Sequence, residues 1–300
     1  MISNPAVFIP TALYGIAGWP LGQTLSPLLH NTGFQILGIP AVYLRWEIPP
    51  KSLPAFVETM RLLDIQGASI TIPHKVDLMP LLDVVSEQAC LAGAVNTVYR
   101  DGQNLCGENT DVTGFLCPLS VLDAKKTDVL LLGAGGAARA AAAGLASRRF
   151  CRIFIATPSD RSLAAPAKEF GCIPLLWKDR HDIPVHLVVN ATPLGMRGKH
   201  VDETPYDFKK AVCPQNNQEL TAYDIVYNPL ETRFLREALT AGRRCISGMD
   251  MFLGQGQTQF RLWTGQNLPE DALSALKNAL FGTNPFHQRE LHAHSDLARH

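Results

Sequence analysis

Two groups of residues hold most of the chemistry available to this sequence. The first is Gly133-Ala134-Gly135-Gly136-Ala137-Ala138-Arg139. It follows the apolar run Val129-Leu130-Leu131-Leu132, which reads as a buried strand, and it opens an Ala-rich stretch that reads as a helix. Glycines at such a turn let the backbone approach a pyrophosphate, and the N–H groups of the helix start can bond it. The spacing Gly133, Gly135, Ala138 fits the G-x-G-x-x-[G/A] fingerprint of dinucleotide binding. The second group lies upstream. The alternating run Ser69-Ile70-Thr71-Ile72 stops at Pro73 and then presents Lys75; Gly107-Glu108-Asn109-Thr110 leads from a strand into a helix that starts at Asp111. A reductase needs a proton donor beside the hydride acceptor and polar groups that hold the substrate. Lys75 facing Asp111 would supply a charged pair for that work. Taken singly, Asp111 is equally an N-cap and Lys75 an exposed first-turn lysine.

The choice of dinucleotide turns on the end of the next strand. An NAD site expects an acid about 20 residues after the glycines, bonded to the ribose 2′-hydroxyl. Here the strand ends Ile155-Ala156-Thr157-Pro158-Ser159, with no acid. Thr157, Ser159 and Arg161 could hold a 2′-phosphate, with Arg161 as the charged clamp. Asp160 keeps NAD open. The reading favours NADP.

The elements that must position these residues alternate along the chain. Strands are expected at 13–17, 42–48 and 68–72. A helix is expected at 26–37, with Ser26 as N-cap and Pro27 at the first helical position, and another at 53–63. A helical region, broken near Pro80, should cover 73–91. Segments 95–99 and 104–107 flank Asp101-Gly102, a hairpin signal. A helix over 111–122 should cross to a second region, with 123–128 as hinge. That region has strands at 129–132, 152–156, 173–175, 186–190 and 222–226, helices between them, and an irregular polar excursion over 197–217. Two amphipathic helices follow, at 249–263 and 269–281.

The expected fold is α/β with two domains. Residues 1–122 form a mostly parallel α/β substrate domain, 123–248 a Rossmann-type dinucleotide-binding domain, and helices 249–283 pack back on the first. Residues 284–300 form a polar tail, read as mobile; it carries four of the nine histidines and is read as solvated rather than metal-binding.

Composition narrows the partners. Lys plus Arg equals Asp plus Glu at 27 each, so no electrostatic footprint for nucleic acid or an anionic membrane is visible. The longest apolar stretch, 129–146, contains Arg139 and four glycines, which excludes a membrane span there. The start of the chain lacks a basic segment followed by an apolar one, so no signal peptide is read. Seven cysteines form no C-x-x-C pair, which points to reduced thiols in the cytoplasm and to neither a zinc site nor any other metal. The partner is a small molecule, and a monomer or a homodimer is expected.

Several segments together resemble the shikimate dehydrogenase family. They are Gly18-Trp19-Pro20, Thr24-Leu25-Ser26-Pro27, His30-Asn31, Thr71-Ile72-Pro73-His74-Lys75, Gly93-Ala94-Val95-Asn96-Thr97 and Asn109-Thr110-Asp111. In the same order follow the glycine loop, Asn190-Ala191-Thr192-Pro193-Leu194-Gly195-Met196, Asp224-Ile225-Val226-Tyr227-Asn228-Pro229, and Gly248-Met249-Asp250-Met251 through Gln255. The resemblance implies a reversible, NADP-dependent reduction of 3-dehydroshikimate to shikimate, a step of aromatic amino-acid biosynthesis. It implies Lys75 and Asp111 as the catalytic pair. It places Thr24 and Ser26 on the substrate carboxylate, Thr71, Asn96, Asp111 and Gln255 on the ring hydroxyls, and Tyr227 over the pocket. For the cofactor it implies Gly133, Ala134, Gly135, Gly136, Ala137, Thr192, Ile225 and Gly248, to which the strand-end reading above adds Thr157, Ser159 and Arg161. The chain departs from the family at Thr24, where serine is common, at Ser69, where asparagine is frequent, and at Thr157, where the family's NADP-specific members carry arginine. Three rivals stay open: an NAD-linked quinate/shikimate dehydrogenase, a folate-linked methylene dehydrogenase, and a non-catalytic NADP-sensing module.

Overall fold

The computed structural model describes residues 9–22, 24–158, 164–212 and 219–281. The expected tail, Ser159 and Arg161 lie outside the described residues. Two sheets of six strands organise the chain. The first is built from β1 (Ala12–Gly18), β2 (Ala41–Glu47), β3 (Gly67–Ile70), β4 (Val84–Val85), β5 (Thr97–Asp101) and β6 (Asn104–Glu108), in the order β2-β1-β3-β5-β6-β4. Only β5 runs against its neighbours. The β5–β6 turn is tight because Gly102, at φ +59°, supplies the left-handed residue it needs. The second sheet holds β7 (Val129–Leu132), β8 (Ile153–Ala156), β9 (Ile173–Pro174), β10 (Leu187–Asn190), β11 (Thr221–Asp224) and β12 (Arg244–Ile246). All six are parallel, in the order β9-β8-β7-β10-β11-β12, and the strand order reverses between β7 and β10. This is the Rossmann arrangement, whose ligand crevice lies at that reversal. β7 and β10 are buried at every residue, as strands covered on both faces must be.

Helices α1 (Ser26–Ile36), α2 (Leu53–Leu62), α3 (Glu87–Ala92) and α4 (Thr110–Leu116) precede the second sheet, and α5 (Gly136–Ser147), α6 (Ala164–Phe170) and α7 (Arg233–Thr240) interleave with it. Two more, α8 (Gly248–Thr264) and α9 (Glu270–Phe281), follow. Their residues Phe252, Phe260 and Leu276, with Leu268 from the connection between them, share one core with Tyr14, Leu29, Phe34 and Tyr43, so they close over one face of the first sheet. The other face is sealed by Phe56, Val57 and Met60 of α2 against Ile70 and Val98. Met251, at the start of α8, enters the core of the second sheet beside Phe115 and Tyr223. β2 is an edge strand, yet Asn31 on α1 bonds both the N–H and the C=O of Tyr43, at 2.8 and 3.0 Å. Its amide stands where another strand's backbone would pair.

Five local expectations need correction. Ser26 does not cap α1: it is the first helical residue, Leu25 occupies the cap position without a side-chain bond, and the Ser26 N–H goes to Thr24 Oγ1 at 3.3 Å. Asp111 does not cap α4 either; Asn109 does, accepting from the Val112 N–H, and Asp111 sits in the first turn. Residues 73–91 are not one broken helix. They form turns, a 3-10 turn over Met79–Leu81, the short strand β4 and then α3, because Val84 and Val85 find a partner in β6. The helix expected over 111–122 stops as α-helix at Leu116; a 3-10 turn over Cys117–Leu119 follows, where Pro118 has no N–H to continue the ladder. β12 has no counterpart among the expected strands; it is three residues long and lacks alternation.

Candidate active site

The reversed direction of β5 assembles the site. Strands β1, β3 and β6 end at one edge of the first sheet, and β5 begins there. Gly18, Thr71, Asn96 and the Asn109–Asp111 segment therefore converge. Hydrogen bonds pin them: Thr71 N–H to Ala17 O at 2.9 Å, Ile70 N–H to Asn96 O at 2.7 Å, and Asn96 N–H to Glu108 O at 3.1 Å. The irregular turn after β3 carries Lys75. Its carbonyl accepts from the Val95 N–H at 2.8 Å. The neighbouring His74 is fully buried, and its Nε2 lies 2.7 Å from Ile48 O. A carbonyl only accepts, so Nε2 carries the proton.

Lys75 Nζ donates to Asp111 Oδ2 at 2.6 Å, and both side chains are mostly withdrawn from solvent. Asp111 is delivered by α4, which crosses α8 at close quarters. At Gly114 a Cβ would stand 2.5 Å from Met251 O and 2.8 Å from the Gln255 backbone nitrogen. Only a residue without a side chain permits this approach, and it brings Asp111 and Gln255 to the same cavity.

That cavity has a volume of about 200 Å³. Its walls include Thr24, Ser26, Thr71, Lys75, Asn96 and Asp111 from the first half of the chain. Tyr227 and Gln255 enter it from the second half. Ala137, Ile225 and Gly248, three of the residues expected at the cofactor, line it as well. Thr24 and Ser26 are linked through their hydroxyls at 3.3 Å. The Asn96 carboxamide oxygen accepts from the Thr110 N–H at 2.7 Å, so its amide nitrogen is turned the other way. The Gln255 amide donates to Phe252 O in its own helix at 3.1 Å. Tyr227 packs tilted against Phe252 with ring centres 5.0 Å apart, and burial raises its pKa above the ordinary phenol value. Sequence reading missed Ile16, Met251, Phe252 and Gln259, which also face the cavity. The signal for Gln259 was present: it stands one helical turn after Gln255.

The glycine loop lies at the strand-order reversal. Gly133 has φ +116°, and a Cβ there would meet Ala191 O at 2.6 Å. Glycine is thus required for the loop to pass the end of β10. Above Gly135 and Gly136 a Cβ would meet nothing within 4 Å, and α5 starts at Gly136 with no side-chain cap. The first-turn N–H groups of a helix have no intrahelical partner, so this opening is a cradle for an anion. Gly133, Ala134, Gly135, Gly136, Thr157 and Thr192 are not walls of the cavity itself. Thr157 is buried at the end of β8. Thr192 bonds the Asn190 carboxamide through its N–H and its hydroxyl, at 3.0 and 2.7 Å.

A buried carboxylate holds the two lips after β10 and β11. Asp224 accepts from the Thr232 hydroxyl, from the Val226 N–H at 3.0 Å and from Asn190 Nδ2 at 2.9 Å. Burial pushes its pKa up to about 7, and the three donors offset part of that rise. Among the described residues no cluster of His, Cys, Asp and Glu could hold a metal ion, and no helix is long and apolar enough to cross a membrane.

Comparison with known proteins gives this geometry its context. Residues 16–98 match the shikimate dehydrogenase substrate binding domain, and residues 248–273 match the shikimate 5'-dehydrogenase C-terminal domain. The shikimate dehydrogenase (NADP(+)) of Pelobacter propionicus is 49% identical over 274 residues, covering 91% of this chain and 98% of that protein. The structure of shikimate 5-dehydrogenase from Thermus thermophilus, in complex with NADP(H) and shikimate, superposes with a TM-score of 0.79 at 33% identity, covering 90% of this chain and all of that one. Quinate dehydrogenase from Corynebacterium glutamicum, in complex with NAD, gives a TM-score of 0.80 at 29% identity, over 90% and 98% of the two chains.

Proposed function

Because the chain belongs to the shikimate dehydrogenase family, we propose that it catalyses the reversible NADP-dependent reduction of 3-dehydroshikimate to shikimate. The observation that carries this reading is the Lys75–Asp111 pair, at 2.6 Å, inside a cavity walled by both halves of the chain. The fit of a dinucleotide rests on the glycine cradle over α5, with Thr157 at the end of β8 and Ile225 and Gly248 on the far wall. NADP rather than NAD is supported by the name its Pelobacter relative bears. When bound, NADPH supplies the hydride for the substrate's ring carbonyl carbon.

The chain's own residues supply the rest. Lys75 Nζ gives a proton, or a hydrogen bond, to the oxygen that becomes negative as the carbonyl is reduced. Asp111 orients Nζ through the 2.6 Å bond and accepts from a ring hydroxyl. Thr24 and Ser26 receive the substrate carboxylate at the start of α1, where the helix end favours negative charge. Tyr227 closes that end, and Thr71, Asn96 and Gln255 address the ring hydroxyls. The same proposal divides the chain into a substrate domain, 1–122 completed by 249–283, and a cofactor domain, 123–248. It also makes the enzyme a cytoplasmic monomer or homodimer, with thiols such as Cys106 and Cys172 buried singly in their cores.

The test follows nicotinamide absorbance with purified protein in four mixtures: shikimate or quinate, each with NADP or NAD. Shikimate with NADP should turn over fastest. Absence of turnover in all four would sink the reading, and preference for quinate with NAD would replace it with the first rival.

A further inference from the structure

Helix α8 carries Gln255, Gln259 and Trp263, four residues apart, on one face. The first two line the cavity, and the last two bond the strand below it. Trp263 Nε1 donates to Val98 O at 2.9 Å, and Tyr14 donates to Trp263 O at 3.3 Å. Gln259 is only 1% exposed. Its Nε2 donates to Thr97 Oγ1 at 2.9 Å, and its Oε1 accepts from Ser69 Oγ at 2.9 Å. Ser69 and Thr97 are directly opposed across β3 and β5, so one amide spans the strand pair at the floor of the cavity.

The proton directions from Tyr43 through Ser69 to Gln259 are fixed. Gln259 Nε2 also faces the Asn96 carbonyl at 3.5 Å, which can only accept, so the nitrogen belongs on that side. Oε1 therefore faces Ser69, whose single proton must go to it. Ser69 then accepts from the Tyr43 hydroxyl at 2.7 Å. Tyr43 stays protonated, since burial raises its pKa far above the ordinary phenol value. On the other side, Thr97 accepts from Gln259 and gives its proton either to Asn96 Oδ1 at 2.9 Å or to Thr110 Oγ1 at 2.9 Å, whose own hydroxyl then donates to Asn96 Oδ1 at 3.1 Å; Oδ1 also takes the Thr110 N–H, so it is filled in both arrangements. Two consequences reach the cavity. Asn96 can offer it only a donor, its amide nitrogen. Ser69, with its proton turned inward, can offer it only an acceptor, its remaining lone pair.

We propose that Gln259 is a positioning residue for substrate binding, which sets this donor–acceptor pattern and the register of α8 that brings Gln255 to the cavity. The role rests on the reading of the cavity as the shikimate site. Remove the amide, and the Ser69 hydroxyl loses its inner acceptor. Its proton then turns to the cavity, where a substrate hydroxyl needs to donate.

Two variants test this. Gln259→Met keeps the volume and removes both bonds. KM for shikimate should rise roughly tenfold, the worth of one good hydrogen bond, while KM for NADP and kcat stay within about twofold. Gln259→Glu adds a readout that loss of packing would not move. The protonated acid donates to Thr97 as the amide does; the carboxylate cannot. Burial raises the pKa of such an acid, and the titratable group that faces it, the His30 ring on α1, is kept neutral by its own burial in the folded protein. Its KM for shikimate, divided by that of the wild type at the same pH, should be near one in acid and climb as pH rises. Equal increases in both KM values, an unchanged KM in a folded Gln259→Met protein, or a ratio that ignores pH would each overturn the proposal. Should Gln259→Met fail to fold, the pH dependence of the Gln259→Glu ratio decides alone. A wild-type protein inert toward shikimate would instead remove the functional reading beneath it, and the proposal with it.

Discussion

Replacing His30 by Phe should flatten part of the acid sensitivity of this protein, by an amount set by the burial of that ring. His30 is wholly enclosed. Its ring stacks on Tyr43 and Phe260, with centres 4.7 and 6.1 Å away, and tilts on Trp263 at 5.0 Å. Neither ring nitrogen reaches a hydrogen-bond partner. Burial, offset only in part by the nearby Gln259 amide, pushes its pKa down from 6.5 to about 3. Between these two values the unfolded chain binds a proton that the folded chain refuses. Stability therefore falls as pH drops below 6.5, with a limiting slope of about 1.4 kcal/mol per pH unit. Between pH 8 and pH 5 the loss amounts to about 2 kcal/mol. Phe cannot titrate. Whatever fixed cost its larger ring carries, the stability of His30→Phe minus that of the wild type should rise by about 2 kcal/mol over that interval. Urea unfolding of both proteins at pH 8, 6.5 and 5 measures it. The difference is the informative quantity, because Asp224 titrates in the opposite sense over the same range. A difference that is constant with pH would show that His30 protonates as readily folded as unfolded, and the enclosed stack would not exist as described.

Three other outcomes are expected. Lys75→Ala should lower turnover by on the order of 10²-fold with fold intact by circular dichroism; near-normal turnover would remove Lys75 from the chemistry. Gly133→Ala should raise KM for NADP at least tenfold or so while sparing binding of shikimate, since a Cβ there stands 2.6 Å from Ala191 O at φ +116°; fluorescence titration with each ligand checks the split. Asp224→Asn should change the pH dependence of stability. The folded carboxyl holds its proton to about pH 7 and the unfolded one releases it near 3.8. The stability it contributes is thus complete in acid and is lost as pH rises through 7, by up to about 4 kcal/mol. The Asn variant should gain on the wild type between pH 4 and pH 8, and parallel stability curves would contradict the buried-carboxyl assignment.

The parts legible in the sequence were those where a local pattern and the tertiary environment ask for the same thing. Val129 to Leu132 is apolar throughout because a central parallel strand is covered on both faces, and Gly133 follows because nothing else fits beside Ala191. Asp101-Gly102 marked its hairpin for an equally local reason. Residues 73–91 were misread because Val84 and Val85 become a strand only when β6 lies alongside, a partner that no window around them contains. The caps failed for a related reason. Ser26 and Asp111 are good cap residues, but Asn109 caps α4 and Thr24 takes the Ser26 N–H beside an uncapped Leu25, leaving the Ser26 and Asp111 side chains to face the cavity. A residue that satisfies its own backbone has less to offer a ligand, so a functional polar side chain next to a better-placed cap is what such a site requires.

The same logic accounts for α8. A helix that served only as a lid would need an apolar stripe and nothing more. This one meets three bodies in succession. Its first residue, Gly248, lies against the Ile225 and Val226 carbonyls, where a Cβ would be 2.3 Å from the nearer one. Its middle touches α4 through Gly254 and Gly114. Its last turns bond β5 through Gln259 and Trp263. Each contact is a close approach or a directed hydrogen bond, and neither tolerates sliding by a turn. The helix therefore fixes the glycine-loop sheet, the Asp111 helix and the Asn96 strand to one frame. For the proposed reaction, which would join a cofactor at the second sheet to a substrate at the first, that common frame sets their separation.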